Sequence, residues 1–452
     1  MGRRRTWVAI AAIVVLAGTV GCGSDAGPEV ADSAAGTGGG TSATDATPAA
    51  TAPAGTTPSA EAGTDGISTA VADAADAGTD IAGDSTAGPD TGGEPGTPAL
   101  DRWQRHVLDE ARPERALFVG SGDLDEDGDV DVVTGAWWYE NPGTNDGQWP
   151  RHELGEPLRN QAIVADLDGD DHLDVLGTEG VGSTANADFA FARGGGRGDL
   201  DVTAPVASAE GDFLQGACVA RFDPDGPLQV ALSWHQPGRG IQLLTVPADP
   251  GAEPWSWEQI ETFSQDEALS CGDIDGDGDG DLLLGTRWLR NDGGSWSVEV
   301  VSEVDGAPDR NRLADIDGDG RVDAVVGFEA ISVEGTLAWY RQPESLAEPW
   351  AEQVIADDVV GPMSVGVADL DADDDPDIVV GEHNLARPDD ARLLVYENTD
   401  GVGTSWRAHL VHRGDEHHDG AELADVDGDG DLDILSIGWG HGRVVLYENL
   451  GR

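Results

Sequence analysis

The chain has 452 residues, with 25 basic and 87 acidic side chains and a net charge of −62. Every basic residue is an arginine, which excludes a phosphate-binding Gly-Lys loop, a Schiff-base lysine and a lysine-rich nucleic-acid face; a surface this acidic repels phosphate backbones and anionic headgroups and attracts cations. Gly contributes 64 residues, about twice the usual share and a sign of many turns, while three Cys are too few for a disulfide scaffold.

Arg3, Arg4 and Arg5 precede an apolar run from Trp7 to Ala17 that is too short to span a bilayer comfortably, the pattern of an export signal over residues 1–22. The run ends in Thr19-Val20-Gly21-Cys22, which resembles a bacterial lipobox, with Thr19 where the lipobox has Leu. The resemblance implies that Cys22 is lipidated and becomes the mature N-terminus; cleavage by an ordinary signal peptidase, with Cys22 incidental, is the alternative. Residues 23–98 are almost wholly Ala, Gly, Thr, Ser, Pro and Asp, without an aromatic side chain or an Arg. Such a stretch cannot bury enough apolar surface to offset its ordering entropy. It is expected to be a disordered tether with a reach of roughly 50 Å, from about 5–6 Å × √n. These segments predict an exported protein, anchored to a membrane only through lipid and facing the extracytoplasmic space, or secreted.

Residues 99–452 hold every Trp except Trp7. Within them one motif recurs seven times: Asp-x-Asp-x-Asp-Gly-x-x-Asp followed at once by three or four apolar residues. Its starts, at 123, 166, 221, 273, 315, 369 and 425, are 42 to 56 residues apart, the size of one four-stranded propeller blade. Each repeat continues with an aromatic strand that ends near Asn or Gln, as in Trp137-Trp-Tyr-Glu-Asn141 and Leu446-Tyr-Glu-Asn449, and then a strand led by Trp, as in Trp149–Leu154 and Trp406–Leu410. Period-two alternation and β-branched content mark these runs as strands, and no helical stripe appears. The chain stops just after an aromatic strand, whereas Trp103-Gln-Arg-His-Val-Leu108 supplies an extra Trp strand before the first repeat. The expected fold is all-β: a seven-bladed β-propeller whose N-terminal strand completes the last blade and leaves no exposed sheet edge.

The seven loops with their flanking strands resemble the FG-GAP/VCBS repeats of integrin-α-type propellers. The resemblance implies this fold and says little about function, because propellers of this kind serve adhesion, sugar binding, catalysis and scaffolding alike.

The loops are candidate cation sites. Their carboxylates would repel one another unless a hard divalent ion with oxygen ligands neutralised them. The candidate ligands are Asp123, Asp125, Asp127 and Asp131; Asp166, Asp168, Asp170 and Asp174; Asp273, Asp275, Asp277 and Asp281; Asp315, Asp317, Asp319 and Asp323; Asp369, Asp371, Asp373 and Asp377; and Asp425, Asp427, Asp429 and Asp433. Gly at the sixth position permits the tight turn, and Asp171 and Asp374 stand there in the second and sixth loops. An EF-hand needs Glu at position twelve, where this chain has Thr134, Gly177, Leu284, Val326, Val380 and Ser436, so that reading fails. The third loop has Arg221 and Gln229 at its two ends, and its guanidinium is expected to fill the space of a cation. About six Ca²⁺ sites and one pseudo-site are expected, with a structural role.

On the face opposite the loops, propeller symmetry predicts a ring around the central funnel that includes Glu179, His235, Arg287, Glu329, Glu382, His383 and Trp439. The links bearing His417-His418-Asp419, Arg159-Asn160 and Arg310-Asn311 fall on the same side. Carboxylates, imidazoles, Arg and Trp around a concavity suit a sugar, a polyol or a metal. His106, His152 and His409 recur in phase on the Trp strand, which points to packing between strands. Cys218 and Cys271 lie on neighbouring inner strands, either as a disulfide or as two buried thiols. Two functions remain open: a monomeric, calcium-binding surface module for a protein or glycan, with no nucleic-acid partner, or a carbohydrate-active enzyme of lyase or dehydratase type. No G-x-S-x-G, H-E-x-x-H or phosphate-binding loop supports catalysis.

Overall fold

A computed structural model describes residues 100–451 apart from 145–146, 183, 266–267 and 305. The signal segment, Cys22 and the tether lie outside the described residues.

Seven four-stranded antiparallel sheets form the blades. Six are built from consecutive strands; in the seventh, Trp103–Asp109 lies outside Val444–Asn449, with Trp103 opposite Asn449 and His106 opposite Leu446. The chain therefore closes as its spare Trp strand predicts. The first strands of successive blades touch all round the ring, including Asp419–Ala424 of blade seven against Val119–Gly122 of blade one. Among the described residues the only helices are single 3₁₀ turns at Pro237–Arg239 and Pro388–Asp390.

Each second strand is buried along most of its length, as in Asp174–Thr178 and Asp323–Phe328. It is flanked by strands within its blade and covered by the neighbouring blades, so its sequence is a continuous apolar run. The apolar residue at the second position of every aspartate loop, from Leu124 and Leu167 through Phe222, Ile274, Ile316 and Leu370 to Val426, is buried in this core.

The Asn or Gln after the aromatic strand joins blades. Asn141 Nδ2 donates to the Val426 carbonyl of the preceding blade at 2.9 Å, Asn291 to Phe222 at 2.7 Å, Gln342 to Ile274 at 2.7 Å, Asn398 to Ile316 at 3.1 Å and Asn449 to Leu370 at 3.3 Å. Every acceptor is the second residue of an aspartate loop, so the order of a loop is tied to the next blade. Where blade two has Gly194 instead, the Gly198 N–H reaches the Leu124 carbonyl at 3.2 Å.

Cys218 and Cys271, on the first strands of blades three and four, form a disulfide. Another tie closes the ring at its seam. Buried Asp415 accepts from Arg105 Nε of the closing strand at 2.5 Å and from the Tyr447 hydroxyl at 2.8 Å, and pairs with Arg443 at 2.8 Å. Burial alone would raise the Asp415 carboxyl, but these partners hold it well below the usual range.

Candidate functional site

The aspartate loops all link first to second strands and so share one face of the propeller. Each curls around its first aspartate: Asp123 Oδ1 accepts from Asp127 N at 3.1 Å and Oδ2 from Gly128 N at 3.0 Å, and Asp315 and Asp369 repeat the pair. The curl needs two left-handed residues. The sixth position has φ of 101° at Gly128 and 71° at Asp171, as sequence reasoning expects, but the fourth position is left-handed as well, at Gly276 (76°) and even at Glu126 (58°) and Ala372 (59°).

The curl gathers carboxylates. Oxygens of Asp123, Asp125 and Asp127 lie within 4.8 Å of one another, as do those of Asp166, Asp168 and Asp174, of Asp273, Asp275 and Asp281, of Asp315, Asp317 and Asp323, and of Asp369, Asp371 and Asp377. Asp168, Asp317, Asp371 and Asp425 each keep one buried Oδ1 without a hydrogen-bond partner. Orphaned anionic oxygens in an oxygen-only cage fit a hard divalent cation; the aspartates at positions one and three would hold it, joined by position five in the first loop and by position nine in the second, fourth, fifth and sixth.

The ninth position has a second task. Asp131 Oδ2 accepts from Leu124 N at 2.9 Å and its Oδ1 from Asn141 N at 2.8 Å, which locks the loop onto the third strand. The same two bonds recur at Asp174, Asp281, Asp323, Asp377 and Asp433. Burial pushes these carboxyls up, to about 7 at Asp131, Asp281, Asp323 and Asp433, about 6 at Asp174 and about 8 at Asp377.

Loop three, with Arg221 and Gln229 at its ends, is held by different bonds. Arg221 Nη1 donates to the Gly226 carbonyl at 2.5 Å and reaches across the turn, and Gln229 Nε2 bonds Thr245 Oγ1 at 3.4 Å.

One set of residues escaped the sequence reading. The residue just before the landmark Asn stands beside the loop. In blades two, four and five it is Arg193, Arg290 or Arg341, ion-paired to the loop's third aspartate, at 2.7 Å for Asp168 and 2.8 Å for Asp275, with Asp317 as the partner of Arg341. In blades one, six and seven it is Glu140, Glu397 or Glu448, paired with His152 at 2.8 Å, His409 at 2.6 Å and His106 at 2.6 Å. The recurring histidines are thus partners of glutamates at the loops, and His152 also stacks on a blade aromatic, Trp138, at 4.4 Å. Their common phase was the signal.

On the opposite face the ring residues diverge. His383 and Trp439 converge with His418: the imidazoles of His383 and His418 are 4.6 Å apart edge to face, the indole lies 4.9 Å from His418, and Arg115 covers the indole at 3.9 Å. Nδ1 of His383 is hydrogen-bonded to buried Glu416, and Nδ1 of His418 to Asp419 at 2.5 Å, while Arg310 Nη2 also reaches Asp419 at 2.8 Å. Burial disfavours charge on His418, but Asp419 outweighs it and raises its pKa; burial opposes ionisation of Glu416, and His383, the Gly440 N–H and His418 together outweigh it and lower its pKa. His417 is driven down to about 4 by burial and keeps a partnerless Nε2. Glu382 is taken up by Arg392 and by the N–H groups of Val360 and Arg392 at 2.8 Å. Arg287 is tied to Glu303 at 2.8 Å in its own blade, His235 to Asp212 at 3.2 Å, and Glu329 is exposed. Glu179 lies half-buried at the end of its strand.

Residues 315–380 match the family model of the FG-GAP-like repeat. No curated protein matches the chain. Among solved structures, a rhamnogalacturonan lyase PL11 of Bacillus licheniformis is similar at 14% identity and a TM-score of 0.41, over 78% of this chain and 75% of that one. A crystal structure of BBS1N in complex with ARL6DN, soaked with mercury, is similar at 11% identity and a TM-score of 0.46, over 77% of this chain and 97% of that one. The match at 315–380 runs from the fifth loop through the rest of blade five and across the sixth loop, and the same loop geometry repeats around the ring; the chain is a seven-bladed β-propeller, one stretch of which matches the FG-GAP-like repeat.

Proposed function

We propose that this protein is a calcium-stabilised binding module, displayed outside the cytoplasm on a lipid carried by Cys22 and a tether of residues 23–98. Its ligand, a glycan or a protein, is taken on the face opposite the loops. The observation that carries this reading is the division of labour between the faces. One holds loops whose buried aspartate oxygens lack partners, as a structural ion requires. The other brings together His383 and Trp439 from the hairpins of blades six and seven, and His418 and Arg115 from the links into blades seven and one.

Elemental analysis of the native protein should find about six calcium ions. A glycan and protein array should show binding that is lost in Trp439→Ala and in His383→Ala. No calcium, together with melting that ignores chelator, would refute the ion part; binding unchanged in both variants would refute the placement of the ligand.

The second reading, an enzyme acting on a carbohydrate, is favoured by the His383–Glu416 and His418–Asp419 pairs, because an imidazole oriented by a buried carboxylate suits proton transfer. Turnover of an array-identified glycan, abolished in His383→Ala, would decide for it.

A further inference from the structure

The residue beside each loop divides the six candidate cation sites into two kinds. The register is the same in all six: it is the residue before the one whose backbone N–H bonds the ninth aspartate. In blades two, four and five an arginine there already places a positive charge on the third aspartate through one oxygen. The other oxygen, Oδ1 of Asp168 and of Asp317, stays buried and unpartnered.

Blades one, six and seven invert this. Glu140, Glu397 and Glu448 add a carboxylate within electrostatic reach of Asp125, Asp371 and Asp427. Buried Asp371 has an unpartnered Oδ1 and no arginine beside it. The histidine on the outermost strand pairs with each glutamate, and in blade six the exposed Arg407 also pairs with Glu397 at 3.0 Å. In the arginine blades the outermost strand has Thr203, Glu299 or Gln353 at that position, so glutamate and histidine occur together or not at all.

We infer that the propeller has two classes of cation site: three arginine-buttressed sites in blades two, four and five, which bind weakly and hold their shape without the ion, and three glutamate–histidine sites in blades six, seven and one, which bind tightly and depend on it. This rests on the calcium reading above. Electrostatics sets the order: an added carboxylate attracts a divalent ion and an added guanidinium repels it. The three tight sites are consecutive in the ring and straddle its closure, and His106 lies on the closing strand itself. The loops of blades one, six and seven each carry a carbonyl that the next blade grips, so loss of these ions loosens the ring at its seam first.

The test is a calcium titration of the full chain after chelator stripping, with hydrogen–deuterium exchange at each stage. Three ions should bind at least tenfold more tightly than three others. Complete chelation should speed exchange in loops 123–131, 369–377 and 425–433 and leave 166–174, 273–281 and 315–323 nearly unchanged. Glu448→Arg should reduce the tight set to two and make loop 425–433 insensitive to chelator; the reciprocal Arg290→Glu should raise the tight set to four. Six equivalent ions, or equal exchange in all six loops, overturns the two classes and leaves the calcium reading standing. Absence of bound calcium overturns both.

Discussion

Removal of the Cys218–Cys271 bridge is the perturbation whose size follows most directly from the structure. The bridge joins the first strands of blades three and four across 53 residues of sequence. It sits beside the one loop where Arg221 and Gln229 replace the end aspartates, so no cation is expected to stiffen that loop. In the chain-entropy treatment, a closed loop of this length lowers the entropy of the unfolded ensemble enough to stabilise the fold by about 4 kcal/mol. At about 2 cal/mol/K of unfolding entropy per residue, over a domain of roughly 350 residues, that corresponds to a fall in Tm of about 6 °C. The assay is calorimetry in saturating calcium on the oxidised protein and on Cys218→Ala/Cys271→Ala, with a thiol titration of the unreduced, unfolded protein. Equal melting of the two proteins would refute the entropic account. A titration that finds Cys218 and Cys271 as free thiols would refute the bridge itself.

In chelator, stability should fall as pH rises from about 4 to about 8. The ninth-position carboxyls bind their protons more tightly folded than unfolded, so the stability they contribute is present below the unfolded value of 3.8 and is lost through about 6 to 8. Thermal melts at pH 5 and pH 8 should show the metal-free protein more stable at pH 5, and added calcium should remove most of the difference. Asp415→Ala leaves Arg105 and Arg443 without their shared carboxylate at the seam and should cost about 3–5 kcal/mol by urea denaturation. A loss under about 1 kcal/mol would mean that the strand pairing alone closes the ring. Deletion of residues 1–100 should leave the fold intact, whereas deletion to residue 112 exposes the edge Val444–Asn449 and should give aggregation in light scattering. Asp427→Ala should lower Tm and remove one bound ion, while Asp223→Ala should do neither; equal losses would show that loop three binds an ion despite Arg221.

The periodic features of this protein were legible without coordinates because each is enforced by local chemistry repeated seven times. An Asp-rich turn before a buried run fixes a loop and its second strand. The count of seven, with one Trp strand too many at the N-terminus and one too few at the C-terminus, fixes closure through Trp103–Asp109. The worn ends of loop three at Arg221 and Gln229 set it apart from the other six loops in the sequence itself, and Arg221 there holds the Gly226 carbonyl. Other features depend on where blades meet, and spacing along the chain does not encode that. His383 ends a strand of blade six and His418 leads into blade seven, and they face each other only when the two blades pack. Glu382, one residue from His383, turns the other way along the strand and is consumed by Arg392. The bond from Asn449 to the Leu370 carbonyl spans 79 residues, and the pairing of His106 with Glu448 spans 342. Sequence shows that such residues recur; only the packing of one blade on the next, and of the first strand on the last, decides what each one touches.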